Sequence, residues 1–176
     1  MQNCEFRVTD PTAPSALPDG FTLRQATAAD IPAMMEVVNA AFEVEAFFVN
    51  RPRTHLQQLA EHLQSGHFLL AHQGAQLLAS VYCELRGQRG YIGMLAVHPG
   101  HQHTGLGRAM MQAAESFLRA SGCCVAELSV VSVRTPLLPL YRKLGYVEVG
   151  AEEPPEELRQ KLTTPVQLIK MEKPLL

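Results

Sequence analysis

The run from Gly90 to Gly122 restricts the fold more than any other part of the chain. A strand-like stretch, Gly90 to Val97, leads into Pro99-Gly100 and then Gln102-His103-Thr104-Gly105-Leu106-Gly107. A helix-spaced apolar set follows, Leu106, Met110, Ala113, Ala114, Phe117 and Leu118, and stops near Ser121-Gly122. Strand, glycine loop and helix start together bring unpaired backbone N–H groups and the positive end of a helix dipole to one point. Gly105 and Gly107 lack Cβ atoms, so an anion can approach the main chain closely, and Arg108 adds positive charge. Such a point suits a phosphate. No Gly-Lys-Ser/Thr is present, which excludes a P-loop, and Met110 stands where a Rossmann fingerprint requires its third glycine.

Around this segment the pattern predicts one domain over residues 20–176, preceded by a loose arm over 1–19 that carries Pro11, Pro14 and Pro18 among polar residues. Phe21 to Gln25 alternates like a half-buried strand. Thr27-Ala-Ala-Asp30 forms a capping box that opens a helix reaching roughly Phe42, with Ile31, Met34, Met35, Val38 and Phe42 as its core stripe. A second helix is expected from about Pro52 to Gln64, ended by Gly66. His67 to Ala71, Gln76 to Leu85 and Gly90 to Val97 read as an antiparallel meander. After the long helix come a buried strand over Val125 to Val131, a helix over Pro136 to Leu144, and strands at Tyr146 to Val149 and Val166 to Glu172. Glu152, Glu153, Glu156 and Glu157 between the last two read as a solvated loop.

The 176 residues, 47% hydrophobic and 18% charged, suffice for one substantial core. The net charge is -2 and the fifteen Lys and Arg are scattered, so no nucleic-acid footprint exists and a small-molecule or peptide partner is expected. No apolar run approaches the roughly 20 residues of a membrane span. Cys4, Cys83, Cys123 and Cys124 lack disulfide-framework spacing and no signal sequence precedes them, which reads as reduced core thiols in a cytoplasmic protein.

Gln102-His103-Thr104-Gly105-Leu106-Gly107 after Met94-Leu95-Ala96-Val97-His98-Pro99 resembles the signature loop of the GNAT acyltransferase superfamily, Gln/Arg-x-x-Gly-x-Gly/Ala directly after a strand. Leu140-Tyr141-Arg142-Lys143-Leu144-Gly145-Tyr146 is similar to the same family's Leu-Tyr-x-x-Leu-Gly-Phe. The resemblance implies an α/β (strictly α+β) fold, a mixed and mostly antiparallel central sheet of about six to seven strands flanked by about four helices. It implies an acetyl-CoA-dependent N-acetyltransferase, without a metal, that moves an acetyl group to a primary amine by direct attack through a tetrahedral adduct. The main chain of Leu95, Ala96 and Val97 would then pair with the pantetheine arm. Gln102, His103, Thr104, Gly105, Leu106, Gly107 and Arg108 would hold the diphosphate, and Tyr141 would sit beside the thioester sulfur as proton donor.

Two positions depart from that family pattern. Where some members carry a basic Glu early in the strand, this chain has Tyr91, which leaves Glu84 as the nearest acidic candidate base and His98 as another. Arg134 stands where many relatives place Asn, and its planar fork suits a cofactor phosphate or an anionic substrate group. The roof over the acceptor is expected in Glu43 to Arg53, where Glu43 or Glu45 could attract a cationic amine, Arg51 or Arg53 could hold the carboxylate of an amino acid, and Phe47 and Phe48 could line the pocket or pack beneath it.

His98, His101 and His103 could also be read as metal ligands, but the same residues are accounted for by the diphosphate loop. A non-catalytic acyl-CoA-binding module is the alternative function. The sequence leaves the acceptor, the acyl preference and a homodimer open.

Overall fold

In the computed structural model, which describes residues 17–50 and 52–175, seven strands form one sheet in the order β1-β2-β3-β4-β5-β7-β6. These are β1 Phe21–Gln25, β2 His67–Gln73, β3 Gln76–Arg86, β4 Arg89–Val97, β5 Val125–Val131, β6 Val147–Glu152 and β7 Leu168–Pro174. Every neighbouring pair is antiparallel except β4 with β5. The helices are α1 Ile31–Ala41, α2 Leu56–Ser65, α3 Leu106–Ala120, α4 Leu137–Lys143 and a single turn, α5 Glu156–Arg159. The expected mixed, mostly antiparallel sheet with flanking helices is the observed architecture.

Strand alternation divides the core between the two faces. Leu69, Val81, Cys83 and Ile92 pack with the α3 residues Met110, Ala114 and Leu118, whereas Phe68, Leu70 and Tyr82 pack with Met34 and Val38 of α1 and Leu59 of α2. Gly90 is obligatory for the first layer, because a Cβ there would come within 2.5 Å of the Leu118 side chain. Leu17 is buried in that layer, so the packed chain begins within the expected arm; residues 1–16 of the arm lie outside the described residues.

Several expected boundaries move, for identifiable reasons. The capping box is present: the Asp30 carboxylate accepts from the Thr27 N–H at 2.8 Å, but it opens one 3-10 turn before α1 begins. The second helix starts at Leu56, not Pro52. The Thr54 main chain is clamped by the Asn39 side chain, with bonds of 3.0 and 3.1 Å, and His55 caps the Gln58 N–H. The acidic stretch is not wholly a loop, since Glu152 ends β6 and Glu156 begins α5. Cys83 and Cys123 are buried, and burial pushes the Cys83 thiol up to about 12, but Cys124 is exposed and is no core thiol.

The connection between α1 and α2 is zipped to the connection between β6 and β7. Val49 bridges Leu162, the Asn50 N–H donates to the Lys161 carbonyl at 2.7 Å, and the Thr163 N–H donates to the Phe48 carbonyl at 2.9 Å. Phe48, Val49 and Val166 form a third, small core with Val131 and Val133 beneath these loops. The roof of the site described next is therefore a packed unit.

Candidate active site

A parallel pair in the middle of an otherwise antiparallel sheet creates the cleft. β4 and β5 pair only from Arg89–Val125 to Tyr91–Glu127, while β5 continues to Val131 with its other edge held by β7. Beyond Tyr91 the two strands separate. The opening has a volume of about 390 Å³, and Ile92 to Leu95 with Val97 line one side against Leu128 to Val131 on the other. This is within the size range of small-ligand sites.

The splayed edge of β4 exposes main-chain groups because of a β-bulge. The Gln88 carbonyl accepts from Cys124 and so faces the β5 side, yet the His98 N–H donates to Leu78 and so faces β3. Residues 88 and 98 would face the same way in an unbroken strand. The change of side occurs where Met94 and Leu95 together oppose Val81, and Met94 there has φ +47°. With Ala96 opposite Ser80 and His98 bonded to Leu78, antiparallel alternation turns the N–H and C=O of Leu95 and Val97 away from β3 and into the cleft. Ala96 has the opposite orientation: its backbone faces the β3 ladder and its side chain is fully buried. The structure does not bring Ala96 to the cleft with its neighbours.

The start of α3 meets the same opening. Gly105 is its cap at φ +88°, and the first intrahelical bond, Ala109 N–H to the Gly105 carbonyl, leaves the amides of Leu106, Gly107 and Arg108 with no helical acceptor. His103, at φ +62°, is a second left-handed residue in the loop, at a cost of order 1 kcal/mol or more. Gln102, His103 and Gly107 line the cleft. Gln102 also donates from its side chain to the Val97 carbonyl at 3.2 Å, which ties the loop to the strand end. A Cβ on Gly107 would find only Val97 Cγ2, at 3.6 Å, so packing within the protein does not exclude a side chain there. Thr104 is exposed and bonded to the His101 carbonyl, Arg108 is exposed, and the Leu106 side chain lies in the core; none of the three lines the cleft.

Tyr141 reaches the cleft from α4, with Leu137 and Leu140 beside it. Its ring meets Tyr146 edge-on, and burial, with a smaller contribution from Tyr91, holds its phenol above the ordinary value. The α1–α2 connection contributes Phe42, Val44, Glu45 and Arg53 from the other face of the sheet. Glu45 is buried, and the Arg134 guanidinium donates to it at 3.2 Å, so Arg134 and Glu45 enter the cleft as a pair.

The structure does not bring the remaining candidates there. Glu84 is gripped by Arg86 through two bonds of 3.0 Å, and that partner holds its carboxyl below the usual range; it does not line the cleft. The His98 Nδ1 accepts the Gly100 N–H, so this imidazole shapes the turn. Glu43 is exposed, and Phe47, 63% exposed, packs edge-on to Phe48 outside the opening. Arg51 lies outside the described residues. No group of three or more His, Cys, Asp or Glu that could hold a metal exists among the described residues.

Sequence reasoning missed Phe42 and Ser129 as lining residues, and it treated Tyr91 only as the position of an absent Glu. The Gly93-Met94 pair inside a strand was the available signal for the bulge, since glycine in a strand interior often marks one.

The chain is similar over 74 residues, at 34% identity, to the streptothricin acetyltransferase of Streptomyces lavendulae, a match of 42% of this chain and 39% of that enzyme. The chain thus matches well under half the length of that relative. Its fold is similar to the ribosomal-protein-S18-alanine N-acetyltransferase of Escherichia coli, with TM-score 0.73 and 19% identity over 88% of this chain and 94% of that one. It is also similar to yncA of Salmonella typhimurium, solved with its cofactor acetyl-CoA, with TM-score 0.68 and 20% identity over 90% and 95% of the two chains. The Acetyltransferase (GNAT) family pattern matches residues 31–146, from the start of α1 through the glycine loop to Tyr146. Splayed strands, glycine-opened helix and matched span agree: the chain belongs to the GNAT acetyltransferase family.

Proposed function

We propose that this protein transfers an acetyl group from acetyl-CoA to a primary amine. The observation that carries the proposal is the continuity of main-chain groups that neither sheet nor helix pairs, from Leu95 and Val97 on the bulged edge of β4 to the first-turn amides of α3, along one cleft. A strand edge suits an extended amide-bearing arm, as in β-augmentation, and a glycine-opened helix N-terminus suits a diphosphate. Residues and cofactor fit in a further respect: Gly107 keeps the helix start bare although the protein has room for a Cβ there.

Bound acetyl-CoA supplies an activated thioester. Val97 then offers its N–H to negative charge developing on the acyl oxygen, a contribution whose loss costs on the order of 10² to 10³ in rate elsewhere. Tyr141 is a phenol and so is protonated at neutral pH, and burial raises it further; it can give a proton to a departing thiolate, worth roughly 10² to 10⁴. Glu45, the carboxylate that lines the cleft among the described residues, draws the ammonium form of the acceptor toward the opening. Arg134 holds Glu45 in place at 3.2 Å, which makes it a positioning residue in this reading.

Thiol release from acetyl-CoA across a panel of amines, with calorimetric acetyl-CoA binding in parallel, tests the proposal. Release that depends on an amine is the expected result. Tight binding without release for any amine would favour the alternative, an acyl-CoA-binding module without catalysis.

A further inference from the structure

Resting on that reading, we infer that the acceptor carries an anionic group, a carboxylate close to its amine, and that Arg53 is the residue that takes it. Among the described arginines that are partly buried, Arg89 and Arg134 each grip carboxylates, the Glu127 and Glu172 pair and Glu45 respectively, and the exposed Arg24, Arg86, Arg142 and Arg159 are paired as well. Arg53 lines the cleft and has no carboxylate partner among the described residues. Its Nε is shut off from solvent and has no hydrogen-bond partner. A buried donor left without an acceptor is costly, and a guanidinium most of all presents a planar fork matched to a carboxylate.

Arg53 is also held ready. Its guanidinium carbon lies 4.9 Å from the centre of the Phe42 ring, stacked as a cation over an aromatic face. The next residue, Thr54, is 1% exposed and its main chain is locked on both sides to the Asn39 side chain of α1. The head group is therefore stacked on the residue that follows α1, and the adjoining main chain is anchored to α1 itself. A side chain fixed in this way loses little freedom on binding, which favours recognition.

The charges in the cleft give the acceptor its polarity. Among the described residues that line the cleft, Arg134 is paired with Glu45, and Arg53 carries a positive charge with no carboxylate against it. A purely cationic amine would meet that charge without compensation. A zwitterion, with its ammonium toward Glu45 and its carboxylate on Arg53, satisfies both ends. α-Amino acids and their close relatives have this chemistry.

The test pairs each of several α-amino acids with the amine obtained by removing its carboxyl group, with thiol release from acetyl-CoA as the signal. The expected result is a kcat/KM at least 10-fold higher for the carboxylated member of each pair. In Arg53→Met, which keeps an apolar stem over Phe42, that preference should fall to near unity through KM, while acetyl-CoA affinity measured by calorimetry stays unchanged. Arg53→Lys should recover part of the preference. Calorimetry with N-acetyl amino acids as product ligands should show binding to the wild type and none to Arg53→Met. Equal use of both members by the wild type, or a preference that survives in Arg53→Met, overturns the inference and leaves acetyl transfer standing. Acetyl-CoA binding without transfer to either set overturns both.

Discussion

Substituting the two loop glycines separately divides cofactor binding from folding. Gly105 caps α3 at φ +88°, so Ala there is forced into the left-handed region at about 1–2 kcal/mol. For a domain of this size that lowers Tm by roughly 2–8 °C. Gly107 is different. It lies inside the first helical turn without a left-handed φ, and a new Cβ would sit at ordinary contact distance, 3.6 Å, from Val97 Cγ2. Ala there restricts the unfolded chain and should stabilise the protein by about 0.4–1 kcal/mol, raising Tm by roughly 1–4 °C. The same methyl group stands in the cleft where a diphosphate would approach the first-turn amides. Loss of one charge-assisted hydrogen bond, about 1.5–3 kcal/mol, corresponds to roughly 10- to 100-fold weaker acetyl-CoA binding. Scanning fluorimetry and calorimetry on both variants decide the matter. Gly107→Ala should be the more stable and the weaker binder, and Gly107→Val weaker again. Wild-type affinity in Gly107→Ala would refute the placement of the diphosphate at the start of α3.

Other expectations rest on separate parts of the molecule. Tyr141→Phe should reduce turnover by about 10² or more with little change in acetyl-CoA affinity, and equal turnover would remove the phenol from the acid role. Because Arg86 already holds Glu84 below the carboxylate range, Glu84→Gln should leave the alkaline-going rise of the pH–rate profile in place; a flattened rise would restore Glu84 as the base. The Arg24 guanidinium holds the Asp30 carboxyl far below its ordinary value, so its stabilisation is present above that value and is lost as pH falls through the lowered one. Asp30→Asn should therefore cost on the order of 1 kcal/mol in urea unfolding at pH 7. The difference from wild type should shrink as the acid limit is approached. With the Cys83 thiol pushed up to about 12 in the core and Cys124 exposed, maleimide at pH 8 should label Cys124 and spare Cys83, as read by peptide mass spectrometry.

The local patterns that carried the fold were those whose physics is local. Period-2 alternation located β2, β3, β4 and β5 to within a residue or two at each end, and the α3 stripe recurs at 3.6-residue spacing in the buried set of that helix. The glycine loop was readable because its requirement belongs to the backbone itself: Gly105 at φ +88° needs no partner to explain it. The start of α2 was misread because Asn39, fifteen residues upstream, takes the Thr54 main chain that a helix would otherwise use. Glu84 was misplaced for a similar reason. Its neighbour Arg86 lies two residues on along the same strand face and captures it before the cleft can.

By itself the sequence determined which segments become strands and helices, and that a helix would begin on a bare, glycine-opened turn, because alternation, capping and φ preference act between residues a few positions apart. Only the tertiary structure decided which main-chain groups reach the cleft and which side chains line it. The bulge at Met94 sets the direction in which Val97 points, and the partner of Val81 across the sheet defines that bulge. The pairing of Glu45 with Arg134, 89 residues apart, settles which arginine is left for a ligand. Ion pairs form between groups that packing brings within a few ångströms, and that proximity is a property of the assembled sheet and its zipped roof.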